Sequence, residues 1–290
     1  MELVSLCSVC HGDLLLKIDV SWNFCRCLGC GFVFDSPRPS PDEIVAFYSQ
    51  AGKYDSWIEQ EAARERLWKR RIKKLRPYST PGSLLDIGTG IGQFLHLARP
   101  FFREVHGTEV SESAVRVAKE KYALDILHGA IDKLPLAPNS FDNISLFHVL
   151  EHVPDPGRLI ETCRSLLRPQ GTLFIAVPND VLAWTSALKK FGKKLGFAPF
   201  EKFSPALGIP KAGNSREIHL SHFTPPVLRQ LLETRGFSMV SESIDPYYVA
   251  AGLKGFLHAG YYLLHRARLK FFTVNRYDTI FMVARKGEGD

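Results

Sequence analysis

The chain has 290 residues, of which 45% are hydrophobic and 23% charged, and a net charge of +7. That length allows one sizeable core with a satellite, and the composition is ordinary for a soluble globular protein. No apolar run reaches the ~18 residues needed to span a bilayer, and the N-terminus has no basic-then-apolar leader. A cytoplasmic protein with reduced thiols is therefore expected. The charge is uneven: residues 181–290 hold 16 Lys and Arg against 8 Asp and Glu, whereas residues 1–180 hold 21 against 22. A basic C-terminal third suits a phosphorylated ligand, RNA, an anionic membrane or plain solvation.

Two cysteine pairs come first. Cys7-x2-Cys10 and Cys27-x2-Cys30 are separated by 16 residues, a spacing that fits structural zinc. Each pair bends the chain so that two thiolates face one ion. Two pairs close a tetrahedron and leave no position for water. A structural Zn2+ held by Cys7, Cys10, Cys27 and Cys30 is expected, in a small ribbon over 1–36. Cys25 and His11 read as bystanders, and Cys163 as a small apolar core residue. The segment from Asp35 to Pro41 carries three prolines and reads as a stiff linker. Ser40, Pro41 and Glu43 then spell N-cap, first turn and capping box, so a helix should run to about Tyr48. Tyr48, Tyr54 and Trp57 are candidates either for an aromatic lid over a ligand or for packing. Residues 58–76 predict a charged amphipathic helix that stops at Pro77. Together, residues 37–80 form a helical lead-in.

The stretch Leu84-Leu85-Asp86-Ile87-Gly88-Thr89-Gly90-Ile91-Gly92-Gln93-Phe94-Leu95 organises the rest of the chain. Its apolar run reads as a strand covered on both faces. The glycines then let the main chain turn and lie against a ligand. A strand, a glycine loop and a helix build a nucleotide pocket at the carboxyl edge of a doubly wound sheet. The dinucleotide spacing G-x-G-x-x-G fails, because Gln93 stands where the third glycine belongs. Asp86 would repel a pyrophosphate but suits a cationic ligand. The pattern D-x-G-x-G-x-G resembles the first motif of class I S-adenosylmethionine (SAM)-dependent methyltransferases. Glu109 ends the next strand, 17 residues after Gly92. Its carboxylate has the paired acceptors that two ribose hydroxyls require. A third strand near 125–128 ends at Gly129-Ala130-Ile131-Asp132. The resemblance implies an adenine contact there, through Asp132 or the backbone at Ala130 and Ile131.

The segments SFDNISLFHVLEHVPDP (140–156), LLRPQGTLFIAVPN (166–179) and IHLSHFTPPVLRQLLETRGF (218–237) extend the likeness. They resemble the methyltransferase type 23, or ubiquinone-methyltransferase-like, group over most of residues 82–240. The segment RCLGCGFVFDSPRPSPDEI resembles the zinc-binding lead-in of sugar methyltransferases. These resemblances imply an α/β fold: a doubly wound, seven-stranded, Rossmann-like methyltransferase sheet over 81–290 with a small N-terminal zinc ribbon. SAM is the implied cofactor, with Asp86, Gly88, Gly90, Gly92, Glu109, Ala130, Ile131 and His148 around it.

Residues 181–235 read as a basic cap on the substrate side. Methyl transfer is an in-line displacement in which alignment does much of the work, and a base helps where the acceptor is a hydroxyl or an acidic C–H. His219 is the first candidate base. In the resembling sugar C-methyltransferases the corresponding segment looks like HEHLxYF; here it is EIHLSHF, with Glu217 in place of the first histidine. That departure favours oxygen at least as much as carbon as the methyl acceptor. His148, at the carboxyl end of the fourth strand, is the second candidate and also a cofactor contact. Residues 251–272 form an apolar stripe interleaved with Lys254, Arg266, Arg268 and Lys270, which suits either peripheral membrane contact or packing on the sheet. The leading function is methylation of a small hydroxylated acceptor such as a sugar, nucleotide-sugar or lipid-linked glycan. RNA base methylation and a SAM-binding interaction module without catalysis are the alternatives.

Overall fold

The computed structural model describes residues 2–19, 24–50, 54–184, 217–246, 252–272 and 274–287. Most of the expected basic cap, 185–216, lies outside them.

The N-terminal ribbon contributes β1 (Leu15–Asp19), β2 (Phe24–Cys27) and β3 (Val33–Asp35). Helix α1 (Pro41–Tyr48) begins with the expected capping box. The Glu43 amide donates to Ser40 Oγ at 3.3 Å, and the Ser40 amide donates to Glu43 Oε2 at 2.8 Å. The charged lead-in is two helices rather than one, α2 (Asp55–Glu59) and α3 (Glu61–Leu75). The main sheet is then laid down as β4 (Ser83–Ile87), β5 (Glu104–Glu109), β6 (Leu127–His128), β7 (Phe141–Phe147) and β8 (Leu167–Pro178). Helices α4 (Gln93–Ala98), α5 (Glu112–Tyr122) and α6 (Pro156–Leu166) connect them. After the short β9 (Ser221–His222) come α7 (Pro225–Glu233), β10 (Phe237–Ser243), α8 (Gly252–Phe271) and β11 (Thr279–Lys286). Thr224 has the extended backbone of an N-cap, but its hydroxyl makes no capping bond.

The seven-stranded sheet runs in the order β10-β11-β8-β7-β4-β5-β6. Strands β4 to β8 are parallel, and β11 lies antiparallel between β8 and β10. The order reverses between β4 and β7, which opens a crevice at their carboxyl ends. Alternation along β4 sends Leu85 and Ile87 into one layer with Ile144, Leu146 and Ile175. Leu84 goes into the other layer with Trp68, Phe94, Phe174 and Phe281. Each such side chain contributes about 1.5–3 kcal/mol through burial, so a strand covered on both faces is the least movable platform in the molecule.

The ribbon is not a separate bead. Its four-stranded sheet, β1-β2-β3-β9, takes its last strand from residues 221–222. Cys7, Val9, Phe32 and Phe34 belong to the same apolar cluster as Leu85 and Ile175. Phe32 packs on Phe223 with ring centroids 5.3 Å apart. Arg235, almost fully buried, donates to the carbonyls of Val9 (2.6 Å) and Ser8 (2.9 Å).

Candidate active site

A cavity of about 540 Å³ occupies the crevice, within the range of small-molecule sites. Its cofactor-like end is floored by Gly88 and Gly90 and walled by Glu109, Ala130 and Ile131. The loop glycines 88, 90 and 92 have φ of 69°, 56° and 81°, values that L side chains rarely adopt. At Gly90 a Cβ would also stand 2.8 Å from the Trp57 ring, so two independent constraints demand glycine there. Gly92 adds a packing constraint to its left-handed φ, since a Cβ would meet Leu124 at 2.7 Å. Glu109 is buried and accepts from the Gly90 amide (2.8 Å) and the Ser111 amide (3.0 Å). Burial raises its pKa, and these amides pull it back. A carboxylate offers about four lone-pair sites, so these two amides leave Glu109 with acceptor capacity to spare. Tyr48, Tyr54 and Trp57 all line the cavity, and the Arg64 guanidinium lies 3.5 Å above the Trp57 ring. Asp86 lies outside the lining. It accepts from the Ser145 hydroxyl at 2.5 Å beneath the loop, and burial pushes its pKa up to about 7.

The opposite end of the cavity is a network of imidazoles and carboxylates. His148 takes a left-handed φ of 59° at the end of β7, and its amide donates to the Ala176 carbonyl at 2.8 Å. Its Nδ1 is 3.2 Å from Glu151 and its Nε2 is 3.9 Å from Asp245. Asp245 is itself paired with Arg71 at 2.5 Å, both wholly buried. Burial alone would lower the His148 pKa; the two carboxylates outweigh it and raise it. His152 directs Nδ1 to the Ile218 carbonyl at 2.5 Å, 3.0 Å from Tyr48 Oη, and its Nε2 is 3.7 Å from Glu151. The Glu151 carbonyl accepts the Leu220 and Ser221 amides at 2.7 and 3.1 Å, which pins the IHLSHF segment against the end of β7.

His219 sits between Asp180 (Nδ1, 3.1 Å) and Glu217 (Nε2, 3.6 Å). Burial opposes protonation, yet the two carboxylates hold its pKa well above the usual histidine value. Glu217 and His152 line the cavity, whereas His219 stands behind them, its ring 5.1 Å from that of His152. His222 continues the chain to Asp180 (3.7 Å) and to Asp35 in β3 (3.1 Å). The ligand atoms of Glu151, His152 and His219 lie within 4.8 Å of one another. This arrangement can hold and pass a proton at the cavity wall, where His148, His152 and Glu217 stand.

The four ribbon cysteines also converge. Cys7 and Cys30 sulfurs are 3.5 Å apart, Cys10 and Cys27 3.4 Å, and all four lie within 4.8 Å of one another. Tetrahedral zinc with bonds of about 2.3 Å sets sulfurs ~3.8 Å apart, so the donor set fits that ion. Cys25 points to the Ser36 carbonyl at 3.9 Å, and His11 is turned to Arg235 at 3.1 Å.

Residues 60–242 match the family model described as a methyltransferase domain. The chain belongs to that methyltransferase family. It is 28% identical over 197 residues to the probable S-adenosylmethionine-dependent methyltransferase of Mycolicibacterium smegmatis, covering 66% of each chain. It is 37% identical over 101 residues to the ubiquinone biosynthesis O-methyltransferase of Coxiella burnetii, covering 33% of this chain and 43% of that one. The chain thus spans from under half to about two thirds of these relatives. A chain from the complex of the Haloferax volcanii Trm112 methyltransferase activator with its methyltransferase superposes with a TM-score of 0.53 at 16% identity, over 82% of this chain and 97% of that one. That likeness shows the fold alone. The glycine loop over residues 88–92 lies within the matched part of the chain.

Several residues of this methyltransferase escape the motif reading. Arg71 sits in a helix whose sequence reads as a solvated charged face, yet it is wholly buried against Asp245. Asp180 follows Asn179 in a stretch without periodicity. Trp68 and Arg64 look like ordinary amphipathic residues. The one local hint is the tryptophan inside a helix otherwise rich in charge.

Proposed function

We propose that the protein transfers a methyl group from SAM to a hydroxyl, or an activated carbon, of a small acceptor such as a sugar, nucleotide-sugar or lipid-linked glycan. The observation that carries this reading is the imidazole–carboxylate network at one end of the same cavity whose other end is the glycine loop. SAM, when bound, supplies a methyl group already activated by its sulfonium. Gly88 and Gly90 would leave room for it, Glu109 would accept its ribose hydroxyls, and Ala130 and Ile131 would border its adenine. Asp86 and Gly92 would act from beneath the loop by fixing its shape. His148, at the end of β7, would border the reacting end. His219 would receive the acceptor proton through Glu217 and His152, with Asp180 holding its ring in place.

The ribbon cysteines would hold one structural Zn2+, whose closed thiolate shell leaves no room for substrate. Metal analysis of freshly reduced protein should find about one zinc per chain; protein folded and free of metal would refute it. The activity is tested by methyl transfer from labelled SAM into fractionated cell extract. Label in polar small-molecule or glycan fractions supports the reading. Label in RNA, or no label from protein that binds SAM, overturns it.

A further inference from the structure

Helix α8 (Gly252–Phe271) presents an unusual face. Leu253, Phe256, Leu257, Leu264 and Phe271 fall within one arc of roughly 100° at about 3.6 residues per turn, and all are exposed: Leu253 by 76%, Phe256 by 75% and Phe271 by 82%. Phe272 and Val274 continue the apolar surface past the helix end. Only Tyr262 and His265 of the helix are buried, on the side that meets Ile244 and Tyr277. The charges are ordered too. Lys254 and Arg268 flank the arc on one side and Arg266 and Lys270 on the other, and the helix contains no Asp or Glu. The adjoining Trp184 is half exposed, with Arg268 4.5 Å from its ring.

Three kinds of occupant could cover such a face. A second copy would bring the same four cations against these four, so like charges would face each other. An RNA backbone would find the cations but meet a ridge of leucine and phenylalanine where it needs donors. An anionic bilayer accepts both features at once. The apolar arc enters the boundary between headgroups and acyl chains while the cations remain among the lipid phosphates. Among the described residues no helix is long and apolar enough to cross a membrane, so contact would be in the plane of the surface.

We propose that α8, with Trp184 beside it, docks the protein on anionic lipid surfaces. Trp184 packs on His265 of α8 and lies four residues along the chain from Asp180, which pairs with His219. This inference does not depend on which acceptor is methylated.

The test is co-sedimentation of the full chain with vesicles of phosphatidylcholine alone and of phosphatidylcholine with phosphatidylglycerol at about three to one. Wild type should pellet with the anionic vesicles and remain in solution with the neutral ones, and about 1 M salt should weaken pelleting. The double variant Phe256→Glu/Leu257→Glu should bind anionic vesicles at least ~10-fold more weakly, with SAM affinity and melting temperature unchanged. Because both side chains are exposed, the variant should fold; Lys254→Glu/Lys270→Glu provides an independent check and should weaken binding in the same direction. The proposal fails if wild type ignores anionic vesicles. It fails equally if both variants bind like wild type, or if α8 substitutions abolish self-association or RNA binding in a protein that leaves lipid untouched.

Discussion

The two ends of the cavity are built in different ways. At the glycine-loop end, where we place the cofactor, Gly88, Gly90 and Glu109 come from one stretch of chain and are held through backbone amides, with Tyr48, Tyr54, Trp57, Ala130 and Ile131 closing around them. Glu109 reaches the Gly90 amide across only 19 positions. The acceptor end gathers side chains from six separate segments, with His222 meeting Asp35 across 187 positions and Arg71 meeting Asp245 across 174. Its deepest contacts, Arg71 with Asp245 and His222 with Asp35, are charged and buried, so loss of a partner there is costly. The cofactor end should therefore tolerate single losses that the acceptor end does not.

The largest effect is expected at the deepest ion pair. Asp245→Ala removes the carboxylate that both Arg71 and His148 face in a wholly buried site. Loss of one partner of such a pair costs about 3–5 kcal/mol, to be read from urea unfolding; a change below about 1 kcal/mol would mean water or another group reaches Arg71. Next comes His219→Ala, which should lower turnover by about 10²-fold with SAM affinity unaltered. Because Asp180 and Glu217 hold the His219 pKa up, the neutral imidazole accumulates only as pH rises. Turnover should climb with pH above the ordinary histidine range, and Asp180→Asn should move that limb to lower pH. A flat profile in both proteins would take the base away from His219. At the cofactor end, Glu109→Ala should weaken SAM binding about tenfold, or ~1.4 kcal/mol, measured by calorimetry, with little change in stability.

The smallest effect is a pH dependence of stability, in which Asp245 and Asp86 act with opposite sign. Asp245 is held down to about 2, since Arg71 and His148 outweigh its burial. Its contribution is present above about pH 4 and is lost as pH falls toward 2. His148, His219 and His222 are held up; their contribution is present below about pH 6.5 and lost as pH rises through the folded values. Asp245 and these three histidines together stabilise best between about pH 4 and 6.5, and His152, which burial holds down, contributes above that range. Asp86, pushed up to about 7, contributes stability below about pH 4 that disappears as pH rises through 7. Asp86→Asn should flatten the melting-temperature profile between those values and leave the acid limb, set by Asp245, in place.

Sequence alone determined the features that depend on short-range rules. Glycine at positions 88 to 92 follows from backbone conformation, the Ser40 capping box from hydrogen bonding three residues apart, and the paired cysteines from metal geometry. Apolar runs at β4, β7 and β8 announce a sheet covered on both faces. The order of motifs along the chain carried the methyltransferase fold, since each motif ends a strand at the same edge. Tertiary structure decided which polar side chains meet. Nothing in a charged helix distinguishes Arg71, which is buried, from its solvated neighbours, and nothing near Asp180 announces His219 as its partner. The reason is physical: a buried ion pair is selected by the field and packing of distant segments, and these leave no period in the local sequence. The same holds for the ribbon, whose cysteine spacing is local but whose last strand, β9, arrives from 221–222. Helix α8 shows the converse, because its apolar stripe suited either the core or a surface, and only the folded chain showed that face turned outward.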